Sequence, residues 1–332
     1  MTLPLLAIII AFVLSMAISP PVIRLMTRLK AGQPISKYVD LHTAKSGRPT
    51  MGGIIFVLPV VIITMLLGGE GITIGKYAAI VVLGYSIVGF LDDYIKVRFK
   101  DNKGLKAYQK IIGQLAIALI ISIYAYRNNY INTDISVPFS KATVELGAFY
   151  IVFVIFVFIA STNGVNLTDG LDGLSSIVSI VYFLAFLIII YFGIKESEYY
   201  GNVMLNREYR SLAVFTAAFA GSLIAFFWFN SAPGKIIMGD TGALAIGGGV
   251  AAVGVFSNRP VLIVIIGIMF VISCVSDIIQ VLYFKATGGK RIFLMAPFHH
   301  HLEYKGVKEW KIVSYYFVIT LIMSVIAVIS VM

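Results

Sequence analysis

The sequence predicts an all-α polytopic membrane protein of ten transmembrane helices with both termini outside. Three observations lead there. Of 332 residues, 59% are hydrophobic and 13% charged, against about half and about a quarter in ordinary soluble domains. The apolar residues gather into ten runs, and ten spans of about 20 residues would occupy about 200 positions, leaving little room for a separate soluble domain. In hydrocarbon only helices or closed barrels satisfy every backbone polar group, and runs this continuous lack the alternation of barrel strands.

The first run, 3–26, follows no basic leader and no small-residue cleavage site, so it reads as a retained span. Runs 52–67, 74–91, 111–126 and 147–160 follow, several of them short enough to imply tilted or incomplete crossings. Runs 174–192 and 212–229 are fuller. The eighth, 242–255, carries Gly247-Gly248-Gly249, which reads as close helix packing because no Lys-Ser/Thr of a phosphate loop follows. Runs 261–284 and 310–331 complete the set. The single cysteine, Cys274, lies inside the ninth run, which excludes an internal disulfide and a cysteine-ligated zinc.

An even number of spans places both termini on one side, and the basic residues then choose the side. Counting Arg24 and Lys311 at the span ends, 19 of the 26 Lys and Arg fall with segments 27–51, 92–110, 161–173, 230–241 and 285–309, and 7 fall elsewhere. By the positive-inside rule those five segments face the cytoplasm, and residues 1–332 form one integral-membrane unit. The net charge of +10 then reports orientation and anionic lipid, not nucleic acid.

Charge is scarce in this chain, so carboxylates at the ends of apolar runs carry information. Asp92 and Asp93 follow the third run in GFLDDYIKVRFK; Asp169 and Asp172 lie in NLTDGLDG; Asp240 sits in MGDTG; Asp277 is inside the ninth run. All but Asp277 fall on the cytoplasmic side by the charge count. So do PFHHHLE at 297–303 and Lys45 with Thr50 in HTAKSGRPTMGG. Acids beside basic residues, with no cysteine ligand, suit a hard divalent cation held by oxygen and a phosphate-bearing substrate. Each group also has a plainer role: Asp169 and Asp172 as caps of the next helix, Asp240 as a turn residue. Asp92-Asp93 as a simple helix exit would oppose the helix dipole. His299, His300 and His301 are adjacent, point about 100° apart on a helix and cannot all chelate one ion.

The motifs PTMGG at 49–53, GFLDDY at 89–94, NLTDGLDGL at 166–174, FNSAP at 229–233, MGDTGAL at 238–244 and APFHHHLEYKG at 296–306 resemble, in that order, the polyprenyl-phosphate N-acetylhexosamine-1-phosphate transferases. PTMGG and the uninterrupted triple histidine resemble the muramoyl-pentapeptide branch of that family. The resemblance runs from about position 45 to 310. It implies a magnesium-dependent transfer of phospho-MurNAc-pentapeptide from UDP-MurNAc-pentapeptide to undecaprenyl phosphate, giving lipid I and UMP. It also implies ten spans, outward termini, a site on the cytoplasmic face of the bacterial cell membrane, and a homodimer. By motif, Asp92, Asp93, Asp240 and His299 correspond to catalytic positions, with Asp240 the magnesium ligand. Lys45, Thr50, Asn166, Asp169, Gly170, Leu171 and Asp172 correspond to the nucleotide and pyrophosphate pocket. Asn230, His300 and His301 correspond to further substrate contacts.

The chain departs from the family pattern twice. Ile237 stands where the family commonly has a Phe that stacks on uracil. Ser273 stands where an acid is usual, and Asp277, four residues on and on the same helix face, is expected to take over that role.

For phosphoryl transfer between two anions the site must neutralise charge and align the attack. A phosphate monoester has its second pKa near about 6, so a general base is optional at neutral pH, and direct in-line displacement is favoured over an aspartyl-phosphate intermediate. A sister transferase using UDP-GlcNAc and an ion-coupled transporter are the competing readings. An intramembrane aspartyl protease is disfavoured, because Ile237-Met238-Gly239-Asp240 lacks the first glycine of GxGD.

Overall fold

The computed structural model describes residues 2–29, 31, 47–99, 104–140 and 142–332. In chain order the elements are α1 (Thr2–Arg28), α2 (Ile54–Leu67), α3 (Ile74–Phe99), α4 (Ala107–Arg127), a hairpin of β1 (Asp134–Ser136) and β2 (Thr143–Glu145), α5 (Phe149–Thr168), α6 (Leu174–Tyr199), α7 (Val203–Asn230), α8 (Gly239–Phe256), α9 (Leu262–Ile266), α10 (Ile268–Ala286), α11 (Phe298–Tyr304) and α12 (Glu309–Ile329). The chain is an all-α polytopic membrane protein apart from that hairpin. Among the described residues nine helices are long and apolar enough to cross a membrane, and α2 is apolar but has 14 residues, about 21 Å of helix.

The helices overrun the apolar runs at their polar ends. The third continues past Leu91 to Phe99, the fifth to Thr168, and α7 begins at Val203 rather than Leu212. Hydropathy marks the stretch that lies in hydrocarbon, whereas the backbone ladder of a helix continues into the headgroup region for as long as side chains allow. The ninth run is divided. Gly267 leaves helical geometry at φ −83°, ψ 21°, its N–H donating to the Ile263 carbonyl at 2.8 Å, and α10 resumes one residue later. The hairpin pairs Asp134 with Glu145 and Ser136 with Thr143; three-residue strands are too short for a period-two signal.

α8 is the axis of the bundle. It packs on α3 and α5, while α7 packs on α6 and α1. Lipid tails are as apolar as the side chains, so helix association here rests on van der Waals fit between small residues. The three central glycines of α8 face three different helices. A Cβ on Gly247 would lie 2.4 Å from Thr162 Cα in α5, one on Gly248 2.6 Å from the Tyr85 ring of α3, and one on Gly249 2.7 Å from the Phe219 ring of α7.

One end of the bundle gathers the C-termini of α3, α5 and α7 and the N-termini of α4, α6, α8 and α12. Backbone pairing ties two of its loops: Ile237 N–H donates to the Pro49 carbonyl at 2.8 Å, Gly52 N–H to Ile237 at 3.0 Å and Gly53 N–H to Met238 at 3.0 Å. The hairpin caps the other end of α8, where Asn132 N–H donates to Asn258 Oδ1 at 2.6 Å and Arg259 donates to Ser136 Oγ at 3.0 Å. Gly247→Ala would gain about 1 kcal/mol on an exposed helix. Here it meets backbone, and overpacking of about 1–3 kcal/mol is expected to win, so thermal unfolding of the purified variant should fall below wild type.

Candidate active site

Asp92 and Asp93 lie in the last turns of α3, and being adjacent on a helix they point about 100° apart. Asp93 turns into the bundle and is fully buried. Its Oδ1 accepts from Asp240 N–H at 3.1 Å; its Oδ2 accepts from Thr241 N–H at 2.9 Å and from Thr241 Oγ1 at 2.6 Å. It therefore caps the N-terminus of α8 from another helix, satisfying amides that have no partner within α8 and placing its charge at the positive end of that helix's dipole. The approach is close because Gly89 lacks a side chain: a Cβ there would lie 2.1 Å from the Asp240 carbonyl oxygen.

Asp92 faces the other way. Its Oδ1 accepts from Leu105 N–H at 2.8 Å, and its Oδ2 lies 2.5 Å from Lys96 Nζ, one turn on. Lys96 Nζ also reaches Asp240 Oδ2 at 3.0 Å, where Lys110 of α4 makes a second contact at 2.8 Å. Asp240 Oδ1 accepts from Asn166 Nδ2 of α5 at 2.6 Å. Four helices thus converge on one carboxylate.

Oxygens of Asp92, Asp93 and Asp240 lie within 4.8 Å of one another. Hard oxygen donors with no sulfur suit a hard divalent cation. Asp93 is fully buried and spends its oxygens on the backbone and hydroxyl donors of α8, whereas Asp92 and Asp240 share the Lys96 ammonium and are the two carboxylates that would hold such an ion; magnesium usually takes one or two, completing its shell with water and phosphate oxygens. Beside them Thr50 Oγ1 is buried with no hydrogen-bond partner among the described residues.

Asp169 stands at the end of α5, partly exposed yet crowded enough that desolvation lifts its carboxyl to about 8, helped by the negative charges of Asp240, Asp93 and Asp172. Asp172 is braced instead. Arg48 donates to its Oδ2 at 2.6 Å and Gly234 N–H at 3.0 Å, while its own N–H donates to Glu309 Oε1 at 2.7 Å. Asn230 accepts from Gly173 N–H at 3.2 Å and Ser176 Oγ at 2.8 Å, and donates to the Ile236 carbonyl at 3.1 Å. Its amide holds the α5–α6 turn against the α7–α8 loop. Leu171 is buried in the same turn.

The three histidines diverge as adjacent helical residues must. His299 is buried against Gly170, where a Cβ would lie 2.2 Å from its Nε2. His300 Nδ1 pairs with Glu303 Oε2 at 2.6 Å. His301 Nδ1 accepts from Leu294 N–H at 3.1 Å, and desolvation, with Lys305 nearby, holds its pKa below the usual imidazole range. Phe298 N–H donates to Ser276 Oγ at 3.0 Å, docking α11 on α10.

Lys45 lies outside the described residues. Asp277 does not join the carboxylate trio; it lines a separate groove of about 450 Å³ with Gln280, Lys285, Arg291 and Tyr304. Ser273 bonds to its own helix at the Met269 carbonyl. Sequence reasoning missed Lys96, Lys110, Arg48 and Thr241. Only Lys96 carried a signal, standing four residues after Asp92.

Two outcomes follow from these bonds. Asp93→Ala leaves the first amides of α8 and the Thr241 hydroxyl without their acceptor, and thermal unfolding should show a loss of about 3 kcal/mol, larger than for Asp92→Ala. The raised carboxyl of Asp169 means that the folded state binds a proton the unfolded state releases between pH about 4 and pH about 8. Its contribution to stability is therefore present at low pH and lost as pH rises through that window. Measured without divalent cation, the apparent melting temperature of wild type should decline more steeply over that range than that of Asp169→Asn.

Comparison with known proteins places the chain. The family model described as glycosyl transferase family 4 matches residues 76–258. A phospho-N-acetylmuramoyl-pentapeptide-transferase of Clostridium botulinum (strain Alaska E43 / Type E3) is 40% identical over 325 residues, covering 98% of this chain and 95% of that protein. Proteins of the same name from Thermoanaerobacter sp. (strain X514) and Listeria monocytogenes serotype 4b (strain CLIP80459) are 42% and 39% identical over 321 and 324 residues, each match covering 96% of this chain and 95% of that protein. With several motifs in fixed order, a carboxylate cluster at one end of a helical bundle and relatives matched over nearly their whole length, the chain belongs to glycosyl transferase family 4 and, within it, to the phospho-N-acetylmuramoyl-pentapeptide transferases.

Proposed function

We propose that the Asp92–Asp93–Asp240 cluster is the centre at which phospho-MurNAc-pentapeptide passes from UDP-MurNAc-pentapeptide to undecaprenyl phosphate, giving lipid I and UMP, the first membrane step of peptidoglycan synthesis. The observation that carries this reading is the convergence of three carboxylates, two lysines and Asn166 at the end of the bundle whose loops hold most of the basic residues. A nucleotide sugar is available on the cytoplasmic side, so that end is assigned to the cytoplasm. The chain then crosses ten times, with α2 as the short second crossing. Its first glycine pair bonds to Ile237 and Met238 at the site end, and at the far end the Gly68 carbonyl accepts from Thr73 Oγ1, which contacts Ser211 of α7. Both termini are assigned outside and the working assembly is taken as a dimer, as the family resemblance implies.

Magnesium held by Asp240 and Asp92 would supply charge neutralisation at the diphosphate. The rest belongs to the protein. Asp93 keeps Asp240 in register through the first amides of α8. Asn166 orients the Asp240 carboxylate. Lys96 and Lys110 are cations within reach of the same oxygens and are suited to anionic oxygens of either substrate. Thr50, with its unsatisfied buried hydroxyl, has a hydrogen bond to give. Asp169, Gly170 and Leu171, with Lys45, are assigned to the nucleotide end, and His299 to His301 to the sugar and phosphate end. Asp172 and Asn230 act on substrate through the loops they brace.

Direct in-line displacement suits this arrangement. Asp93 accepts three hydrogen bonds, and Asp92 is held by Leu105 N–H and a cation, Lys96 in this structure; both carboxylates are stabilised as holding groups, which disfavours either as the nucleophile. The lipid phosphate, mostly dianionic above its second pKa of about 6, needs no base to become the nucleophile.

The test is a lipid-product assay on the purified protein in lipid nanodiscs. UDP-MurNAc-pentapeptide with undecaprenyl phosphate and Mg²⁺ should give lipid I and UMP, UDP-GlcNAc should give no lipid product, and Asp240→Asn should lose at least about a hundredfold in turnover. Preference for UDP-GlcNAc would move the chain to a sister activity, and an isolable phosphorylated enzyme would replace direct displacement with a covalent route.

A further inference from the structure

We propose that Lys96 is a resident counter-cation of this site and that divalent-cation loading is an exchange, in which the Lys96 ammonium leaves the space between Asp92 and Asp240 and becomes available to the anionic substrate. The proposal rests on the divalent-cation reading of the carboxylate cluster. Its starting point is the position of Lys96 Nζ, 2.5 Å from Asp92 Oδ2 and 3.0 Å from Asp240 Oδ2. Asp92 and Asp240 are also the carboxylates that would hold a divalent cation, and such a cation would compete with this ammonium for the same oxygens.

Two positive charges drawn to the same oxygens repel each other. Lys110 already touches the same Asp240 oxygen at 2.8 Å, and Asn166 donates to the other at 2.6 Å, so both oxygens of this carboxylate already carry donors. The side chain of Lys96 is almost enclosed, and charges brought together away from bulk water interact strongly. Lys110 sits on one carboxylate only and can stay as a spectator. Lys96 sits on both and has to move.

The geometry also says where it goes. Lys96 arises from α3 one turn after Asp92, and a Cβ on Gly104 would meet the Lys96 stem at 2.8 Å and Asp92 Oδ1 at 2.6 Å. That glycine wall closes one side, while Asp240 and α8 close another. Asn166 and Asp169, at the end of α5 beside Asp240, mark a further side, and the displaced ammonium is assigned to turn there, towards the anionic substrate. Metal entry and provision of a substrate-binding cation are thereby one event, which makes Lys96 a positioning residue that couples ion occupancy to anion binding.

Two measurements on the full-length protein in nanodiscs, without nucleotide, test this. In the first, free Mn²⁺ is followed by electron paramagnetic resonance during titration. Lys96→Gln should bind Mn²⁺ about tenfold more tightly than wild type, since a competing charge is gone, and Lys96→Arg, which keeps the charge, should stay close to wild type. In the second, wild-type lysines are acetylated with an N-hydroxysuccinimide ester and mapped by mass spectrometry; labelling of Lys96 should rise when Mn²⁺ is added. Unchanged or weaker Mn²⁺ binding by Lys96→Gln, equal tightening by Lys96→Arg, or Lys96 labelling that ignores Mn²⁺ would each overturn the exchange. Asp240→Asn separates this from the underlying reading: if it leaves wild-type Mn²⁺ binding intact, the metal assignment itself fails, whereas Asp240-dependent binding with no gain in Lys96→Gln sinks the exchange alone.

Discussion

The carboxylate of Asp93 joins two helices that run in opposite directions, and most of the site depends on that bond. Three donors at the start of α8 converge on it, so the first turn of α8 cannot slide or rotate against α3 without leaving buried amides unpaired. An unpaired amide at the end of a buried helix is expensive where water cannot replace the lost partner. Asp240 is one of the three donors through its backbone, and its side chain therefore emerges at a fixed place opposite Asp92. Gly89 makes the contact possible by letting the α8 backbone approach α3 to a distance that a methyl group would forbid.

The same arrangement settles how so many carboxylates coexist. Asp93 is neutralised by a helix N-terminus, Asp92 and Asp240 by two ammonium groups, and Asp172 by Arg48. Asp169 has no cation among the described residues, and burial together with the negative charges of Asp240, Asp93 and Asp172 drives its carboxyl up to about 8. Four of the acids thus have an electrostatic partner and the fifth has its charge disfavoured by burial, as expected where the local dielectric is low. A divalent cation adds to this balance only by displacing a positive group already there, and that constraint makes the lysines part of the metal chemistry.

Much of this was legible in the residues before the fold was known, for definite reasons. Hydropathy finds crossings because lipid demands long apolar runs, and it finds them without their polar ends, so Phe99 and Thr168 lie beyond the runs that announced their helices. Scarce charge made the aspartates conspicuous, and adjacency alone separated the directions of His299, His300 and His301, whereas the different tasks of Asp92 and Asp93 were not readable from their shared motif. What could not be read was pairing over distance. Nothing in the sequence near Lys110 points to Asp240, and nothing near Arg48 or Glu309 points to the turn that holds Asp172. The shift of an acid from position 273 to Asp277 is sound on a helical wheel, yet Asp277 lines a groove with Gln280, Lys285, Arg291 and Tyr304 and is not among the three clustered carboxylates. Gly267 looked like one more apolar-run residue and instead interrupts the helix.

The division of labour between Asp92 and Asp93 bears on catalysis more directly than their shared motif does. A residue that caps α8 with both oxygens is occupied in holding that helix, and a residue held between a cation and a backbone amide is a weakened nucleophile, because its charge is stabilised. The energy the site can apply to the reaction therefore lies in placement. Two anions have to be brought together along one line, and Lys96, Lys110 and Arg48 lie at the same end of the bundle as the carboxylates, the end to whose segments the sequence assigns 19 of its 26 basic residues. Such an excess raises the local concentration of anionic reactants over distances the pairwise contacts do not reach. The acids then serve to keep those cations, protein-borne or metallic, at the positions from which they can act on phosphate oxygens. On this view the aspartates hold the cations in place, and the cations carry the chemistry.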